Sequence, residues 1–72
     1  MVKLTFELAK EKIEEIKSNA DDYERAHLLE DSLYLWFIQC CAKGYYQDAT
    51  EVYYIAQLLE RTQEIKFERY CT

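Results

Sequence analysis

Apolar residues recur along this chain at steps of three and four, the spacing that gives an α-helix one apolar face. The first such pattern follows Thr5, a residue type that favours the N-cap position of a helix. We predict that helix 1 begins after Thr5 and ends near Ser18 and Asn19, whose side chains compete with the backbone for hydrogen bonds. Its predicted core stripe consists of Phe6, Ala9, Ile13 and Ile16.

A longer helix 2 is predicted from Asp21 to about Lys43. Asp21 and Glu24 have the spacing of a capping box, and Gly44 suits the left-handed position that follows a helix. The segment 33–38 is apolar on every face, and a helix of that kind must be covered on every side. The apolar stripe in the first half consists of Tyr23, Ala26, Leu29 and Leu33.

Helix 3 is predicted to open with a second capping box, Asp48 to Glu51, and to end within residues 61–63. Its predicted core stripe consists of Val52, Ile55, Ala56 and Leu59. The tail that follows, residues 65–70, alternates apolar and charged positions with a period of two. An extended tail would lay Ile65 and Phe67 on the core, and a short strand or a helical continuation both remain open.

These elements predict an all-α fold in a single domain, residues 1–72. The expected architecture is a three-helix antiparallel bundle with a long central helix and a short C-terminal tail packed on it. Three helices do not easily wrap the second half of helix 2, and a chain this short has a marginal core. We therefore predict a homodimer in which helix 2 packs against its symmetry mate. The alternative is that helix 1, helix 3 and the tail together cover helix 2.

Composition and charge narrow the possible partners. Half of the 72 residues are hydrophobic and Pro is absent, which argues against disorder. The net charge is −5, and residues 1–31 carry nine acidic side chains against five basic ones. Binding to phosphates needs clustered Lys and Arg, so we expect no direct contact with nucleic acid.

The apolar stretch 33–42 is far shorter than the roughly 20 residues that span a bilayer, and residues 1–8 lack the apolar core of a signal peptide. We expect no membrane association and a cytoplasmic location.

The three cysteines do not form a disulfide pattern. Cys40 and Cys41 are neighbours in a helical segment, where their side chains diverge by about 100°, so a bond between them would be strained. An odd, clustered set indicates a reducing compartment. We expect Cys40 and Cys41 to be core residues with raised thiol pKa values, and not nucleophiles.

The densest polar cluster is formed by Glu24, His27, Glu30 and Asp31. The Glu24–His27 spacing is that of the Glu-x-x-His motif in di-metal helical bundles, but one His leaves such a site incomplete outside a symmetric dimer. Ordinary polar contacts on a helix surface are the favoured interpretation, so we predict no metal, no cofactor and no catalytic activity. Glu11 and Glu14 have the E-x-x-E spacing of all-α nucleotide pyrophosphohydrolases. The later E-x-x-D of those enzymes is missing, which indicates solvated charge.

The chain contains seven tyrosines, more than a core of this size absorbs. Tyr45 and Tyr46 fall in the predicted loop after helix 2. Tyr53 and Tyr54 are adjacent on helix 3, so one of them is expected to be exposed, and exposed tyrosines are enriched in protein interfaces. The alternative is that the rings cover the core while the hydroxyl groups remain hydrated.

One segment carries a family resemblance. Its residues are Ala26-His27, Glu30-Asp31 and Leu33, followed near the C-terminus by Phe67, Arg69 and Tyr70. This pattern resembles a group of small phage and prophage proteins with an A-H-x-x-E-D-x-L helix and a phenylalanine–x–arginine–aromatic tail. The resemblance implies that these residues act together, for example through a pair between Arg69 and Glu30 or Asp31. It implies no catalytic role.

The resulting expectation is a phage-type accessory protein that binds a host or phage protein in the host cytoplasm. One concrete form is an inhibitor of a host defence or nucleic-acid-processing protein, because an acidic helical surface can occupy a phosphate-binding groove. Two alternatives are a metal-binding helical dimer and a purely structural homo-oligomer. The predicted partner-binding residues are Glu24, His27, Glu30, Asp31, Tyr45, Tyr46, Tyr54 and Arg69.

Overall fold

Three α-helices and a final 3-10 turn make up the regular structure of the part of the chain that the structure describes. The computed structural model describes residues 2–66, and no strand occurs among them. The predicted all-α class is therefore confirmed for this part of the chain, whereas the expected position of the tail beyond residue 66 lies outside the described residues. The elements are α1 (Phe6–Ser18), α2 (Tyr23–Ala42), α3 (Ala49–Glu60) and the 3-10 turn (Arg61–Glu64).

Side-chain caps set where the helices begin. Thr5 caps α1 as predicted, since its Oγ1 accepts a hydrogen bond from the Leu8 N–H at 3.2 Å. Asp48 caps α3 in the same way, accepting from the Thr50 N–H at 2.8 Å. Both N–H groups belong to the first turn, where no backbone partner is available.

The prediction for the start of α2 was wrong by one residue. Asp22, and not Asp21, is the N-cap, because its Oδ1 accepts from the Arg25 N–H at 3.3 Å. A turn precedes it, in which the Asp22 N–H donates to the Asn19 carbonyl at 2.9 Å. This turn places Arg25 at the third helical position, so the predicted capping box with Glu24 is lost.

The C-terminal end of α2 confirms the role of Gly44. This residue has φ +71°, a conformation that costs little only for glycine. The Gly44 N–H donates to the Cys41 carbonyl and the Tyr45 N–H to the Cys40 carbonyl, both at 3.1 Å. These two bonds form a Schellman motif, which satisfies carbonyl groups that the end of a helix leaves free.

The core is built from the inner faces of all three helices, and α1 packs against both α2 and α3. The predicted stripes are confirmed at most positions but wrong at Phe6, Tyr23 and Ala56, which are exposed because they lie at the ends or the edge of a stripe. The Phe6 ring instead lies 5.4 Å from the Lys10 ammonium group. The buried apolar residues are Leu4, Ala9, Ile13, Ile16, Ala26, Leu33, Cys40, Ile55 and Leu59.

The segment before α1 lies against the C-terminal half of α2. The Leu4 side chain is fully buried, and its N–H donates to Cys40 Sγ at 3.4 Å. The indole N–H of Trp36 donates to the Val2 carbonyl at 2.7 Å. This segment therefore covers part of the apolar half of α2.

Cys41 differs from the expectation of a core position. Its side chain is exposed, whereas Cys40 is buried, because neighbouring positions on a helix point in different directions. Partial desolvation of the thiol, followed by the effect of nearby Cys40, still raises the pKa of Cys41, as the sequence predicted. No helix within residues 2–66 combines the length and apolar character that crossing a membrane requires.

Candidate functional site

The predicted polar cluster on α2 does not form a single surface. Glu24 and Asp31 are exposed, whereas Glu30 is buried on the inner side of the helix. His27 lies between them, with its Nε2 at 3.4 Å from Asp31 Oδ2. Its Nδ1 is buried and has no hydrogen-bond partner within the described part of the chain. The predicted partner Arg69 lies outside the described residues.

This geometry offers no metal site among the described residues of one chain. Within residues 2–66, no three or more His, Cys, Asp or Glu side chains converge in a way that would hold a metal ion. Because Glu30 points inward and Glu24 outward, the four predicted residues do not supply ligands to one point in space. A site shared between two copies around Glu24 and His27 stays a prediction.

The loop tyrosines make structural contacts, and their predicted role in partner binding stays a prediction. Tyr45 and Tyr46 are both half-buried and pack against the core. The Tyr46 hydroxyl donates to the Leu4 carbonyl at 2.6 Å, and its ring centroid lies 5.8 Å from that of Phe37. Burial, with nearby Cys40 as the next contribution, raises the pKa of the Tyr46 hydroxyl above its ordinary value. Tyr46 thus fixes the segment before α1 to the end of α2.

Both tyrosines in the adjacent pair on α3 are exposed. Tyr53 is 59% exposed and Tyr54 is 52% exposed. Their rings meet edge to face with centroids 5.6 Å apart. One of the pair was predicted to be exposed and in fact both are, so Tyr53 is an exposed aromatic residue that the predicted site omitted.

The outer face of α2 carries a line of exposed residues that we call the α2 seam. Leu28, Leu35 and Ile38 in this line are 65%, 54% and 59% exposed. The line comprises positions 24, 28, 31, 35, 38 and 42, which alternate in steps of four and three and therefore share one face of the helix. The spacing of these positions is present in the sequence, but most of the segment that contains them is apolar on every face, so the exposed face is not apparent. The seam consists of Glu24, Leu28, Asp31, Leu35, Ile38 and Ala42.

A groove between α2 and α3 extends the seam sideways. It has a volume of about 300 Å³, and Ile38 belongs to both the groove and the seam. Ala56 lines it on the α3 side and shares a helix face with Tyr53, three residues earlier. The groove is lined almost entirely by apolar atoms, from Tyr34, Phe37, Ile38, Ala56, Leu59 and Glu60. The seam and this groove together are called the apolar surface below.

A larger groove between α1 and α3 has a mixed character. Its volume is about 540 Å³, and its floor includes Ile13 and Leu58. Its rim carries both signs of charge. Glu14 lies 3.3 Å from Lys17 there, and Glu64 and Arg61 also line the groove. Such a rim does not select a ligand by charge.

The acidic side chains of α1 are interleaved with lysines. Each of the three pairs is exposed and spans three residues, so each contributes about 0–1 kcal/mol. The expected acidic face of this helix is therefore close to neutral over most of its length. The pairs are Glu7–Lys10 at 3.6 Å, Glu15–Lys12 at 3.6 Å and Glu14–Lys17 at 3.3 Å.

Comparisons with known proteins return no relative: no family model, no curated protein and no solved structure matches this chain.

Proposed function

We propose that this protein works by binding another protein chain through the apolar surface of α2 and α3. The observation that carries the proposal is the alignment of Leu28, Leu35 and Ile38, each more than half exposed, along one line of α2. Burying the exposed half of such a side chain contributes about 1–2 kcal/mol of hydrophobic free energy, from which the costs of association are subtracted. Single exposed apolar residues are ordinary on a protein surface, but three on one helix face, two of them a turn apart beside an apolar groove, indicate a binding site.

The chemistry of the surface favours a protein over a small polar ligand or a nucleic acid. Small-molecule sites combine an apolar pocket with a few convergent polar groups. Glu60 is the one charged residue among those that line the groove, and it lies at the end of α3. A net charge of −5 repels phosphates. Aliphatic and aromatic side chains of another polypeptide are the groups that this surface accommodates.

The other functional expectations from the sequence remain predictions. They comprise the phage-type accessory role, the inhibition of a host protein, the cytoplasmic location and the absence of catalysis. Mimicry of nucleic acid has weaker support than the sequence suggested, because three of the four acids of α1 pair with lysines.

We retain the antiparallel three-helix bundle as the arrangement of α1 to α3. Its support is the packing of α1 on both other helices and the short connections 19–22 and 43–48.

A photo-crosslinking experiment in the cells that make the protein tests this function. A photoreactive benzoylphenylalanine replaces Leu35 in the seam, and a matched variant carries it at Glu11, an exposed position on α1. We expect protein adducts from position 35 and few from position 11, with mass spectrometry identifying the attached chain. Equal labelling from both positions, or no protein adduct from position 35, would contradict the proposal.

A further inference from the structure

We infer that the α2 seam binds a second copy of this chain, with the two α2 helices antiparallel. This inference rests on the proposed function, because it requires that the seam is a protein-binding surface. It names the partner and the register of the contact. Three features carry it: the spacing of the seam, the distribution of charge along α2, and the size of α2 relative to the molecule.

The spacing of the seam is that of a coiled coil. Its positions alternate in steps of four and three, as do the a and d positions that pair two helices along their length. The seam positions are also symmetric about residue 33. In an antiparallel pair centred on residue 33, each seam position therefore faces a seam position of the other copy. In that register Leu28 meets Ile38 of the partner subunit, and Asp31 meets Leu35 of the partner subunit. Leu28 and Ile38 then cover one another, and Leu35 is covered by the partner's Asp31.

The charges along α2 favour the antiparallel orientation. Glu24, Arg25, Glu30 and Asp31 lie in its N-terminal half, after the N-cap Asp22, whereas residues 33–42 carry no charge and Lys43 follows. A parallel pair would place Glu24 against Glu24 of the partner subunit and repeat this repulsion at Asp31. An antiparallel pair places Glu24 near Lys43 of the partner subunit and opposes the two helix dipoles.

Asp31 specifies the register. It lies near the middle of the seam, where a carboxylate among leucines is unfavourable without a polar partner. The His27 Nε2 atom, 3.4 Å from Asp31 Oδ2, supplies that partner from the same helix. One polar residue at a seam position is a known means of fixing register and orientation at a cost in stability.

The dimensions of α2 suit an interface of ordinary size. Its 20 residues extend about 30 Å, which exceeds both short dimensions of a molecule measuring 36 × 18 × 17 Å. The helix must therefore lie close to the long axis. A standard interface covers about 800 Å² of each partner, roughly a sixth of the 4977 Å² surface of this chain. A contact of that size uses the full length of α2 and the adjoining groove.

Engineered cysteines test both the partner and the register. Two variants, Leu28→Cys and Ile38→Cys, are made in a background in which Cys41 and Cys71 are replaced by serine and buried Cys40 is kept. Each variant is oxidised alone and mixed with the other, and covalent dimers are counted on non-reducing gels. A control variant, Glu11→Cys, reports random collisions. The antiparallel register predicts at least several-fold more covalent dimer in the mixture than in either variant alone.

The outcomes separate this inference from the proposed function. Covalent dimers that form mainly in the mixture support the antiparallel pair. Efficient cross-linking of each variant to itself indicates a parallel pair and overturns the register. If native mass spectrometry shows a monomer and the mixture yields no covalent dimer, self-association is overturned. The proposed function then still stands if photo-adducts to a different protein form at position 35, and it fails as well if none form.

Discussion

The hydroxyl oxygen of Tyr46 lies 2.6 Å from the Leu4 carbonyl oxygen, and the Lys3 ammonium group lies 5.2 Å from the centre of its ring. A single side chain thus connects the segment before α1 with the loop after α2. Leu4 itself is fully buried, so its carbonyl oxygen depends on this partner. Tyr54 makes no comparable buried contact, since more than half of it is exposed. Each is the second residue of a Tyr-Tyr pair in the sequence, but Tyr46 is half-buried and Tyr54 is exposed.

The first prediction concerns this hydrogen bond. Tyr46→Phe leaves the Leu4 carbonyl oxygen without its donor, and such a loss costs about 1–3 kcal/mol. We expect the free energy of unfolding, measured by urea denaturation followed by circular dichroism, to fall by that amount. Tyr54→Phe is the matched control and should change it by less than about 0.5 kcal/mol. Equal effects of the two substitutions would show that Tyr46 does not hold the segment in place.

The second prediction concerns the end of α2. Gly44 has φ +71°, and a Cβ added there would meet no atom within 4 Å. The cost of Gly44→Ala is therefore conformational alone, and we expect about 1–2 kcal/mol of lost stability by the same denaturation measurement. Gly44→Asn should cost less, because Asn tolerates the left-handed region better than Ala. Finding Ala as stable as Gly would mean that the Schellman motif contributes nothing.

At the scale of the helices, the parts of the fold that depend on local chemistry were predictable. Thr5, Asp48 and Gly44 act through groups a few residues away, so the sequence displays both partners of each contact. The start of α2 was missed by one residue because Asp21 and Asp22 are chemically equivalent as caps. Only the preceding turn, through its bond to the Asn19 carbonyl, distinguishes them.

The contacts that sequence reasoning missed are those between distant residues. Leu4 bonds to Cys40 and Tyr46, and Trp36 bonds to Val2, at separations of more than 30 residues. Such bonds leave no periodic signal in the sequence. The sequence therefore did not indicate that the loop tyrosines are half-buried. The α2 seam was missed for a different reason, because a segment that is apolar all round does not reveal which face remains uncovered.

The third prediction concerns the charge within the seam. Asp31→Leu removes a carboxylate that association would partly desolvate, so we expect the dissociation constant of the dimer to fall roughly tenfold or more. Sedimentation velocity over a concentration series measures this change. Glu24→Leu, at the end of the seam near solvent, is the comparison and should have a smaller effect. Weaker association of Asp31→Leu would show that Asp31 contributes favourably to the contact, contrary to its proposed cost in stability.

At the scale of the molecule, size and packing explain why a surface of this kind exists. A chain of 72 residues buries only about 60% of the surface of its unfolded form, and such cores supply roughly 3–5 kcal/mol. α1 packs against both α2 and α3, and α2 approaches α3 partly through the Tyr34 hydroxyl, which donates to the Leu59 carbonyl at 3.2 Å. The other described elements therefore do not cover the outer side of α2. A bound chain would cover it and stabilise the fold by mass action.

Sedimentation equilibrium of three proteins tests the central claim, that the α2 seam is a self-complementary protein interface. They are the wild type, Leu35→Glu in the seam, and Ser32→Glu, which adds the same charge at an exposed position of α2 outside the seam. Both substituted positions are exposed, so folding should be unaffected within about 0.5 kcal/mol, which circular dichroism verifies. We expect dimers for the wild type and Ser32→Glu, and a monomer for Leu35→Glu because its added charge would be buried. The same molecular mass for all three proteins would contradict a self-complementary seam.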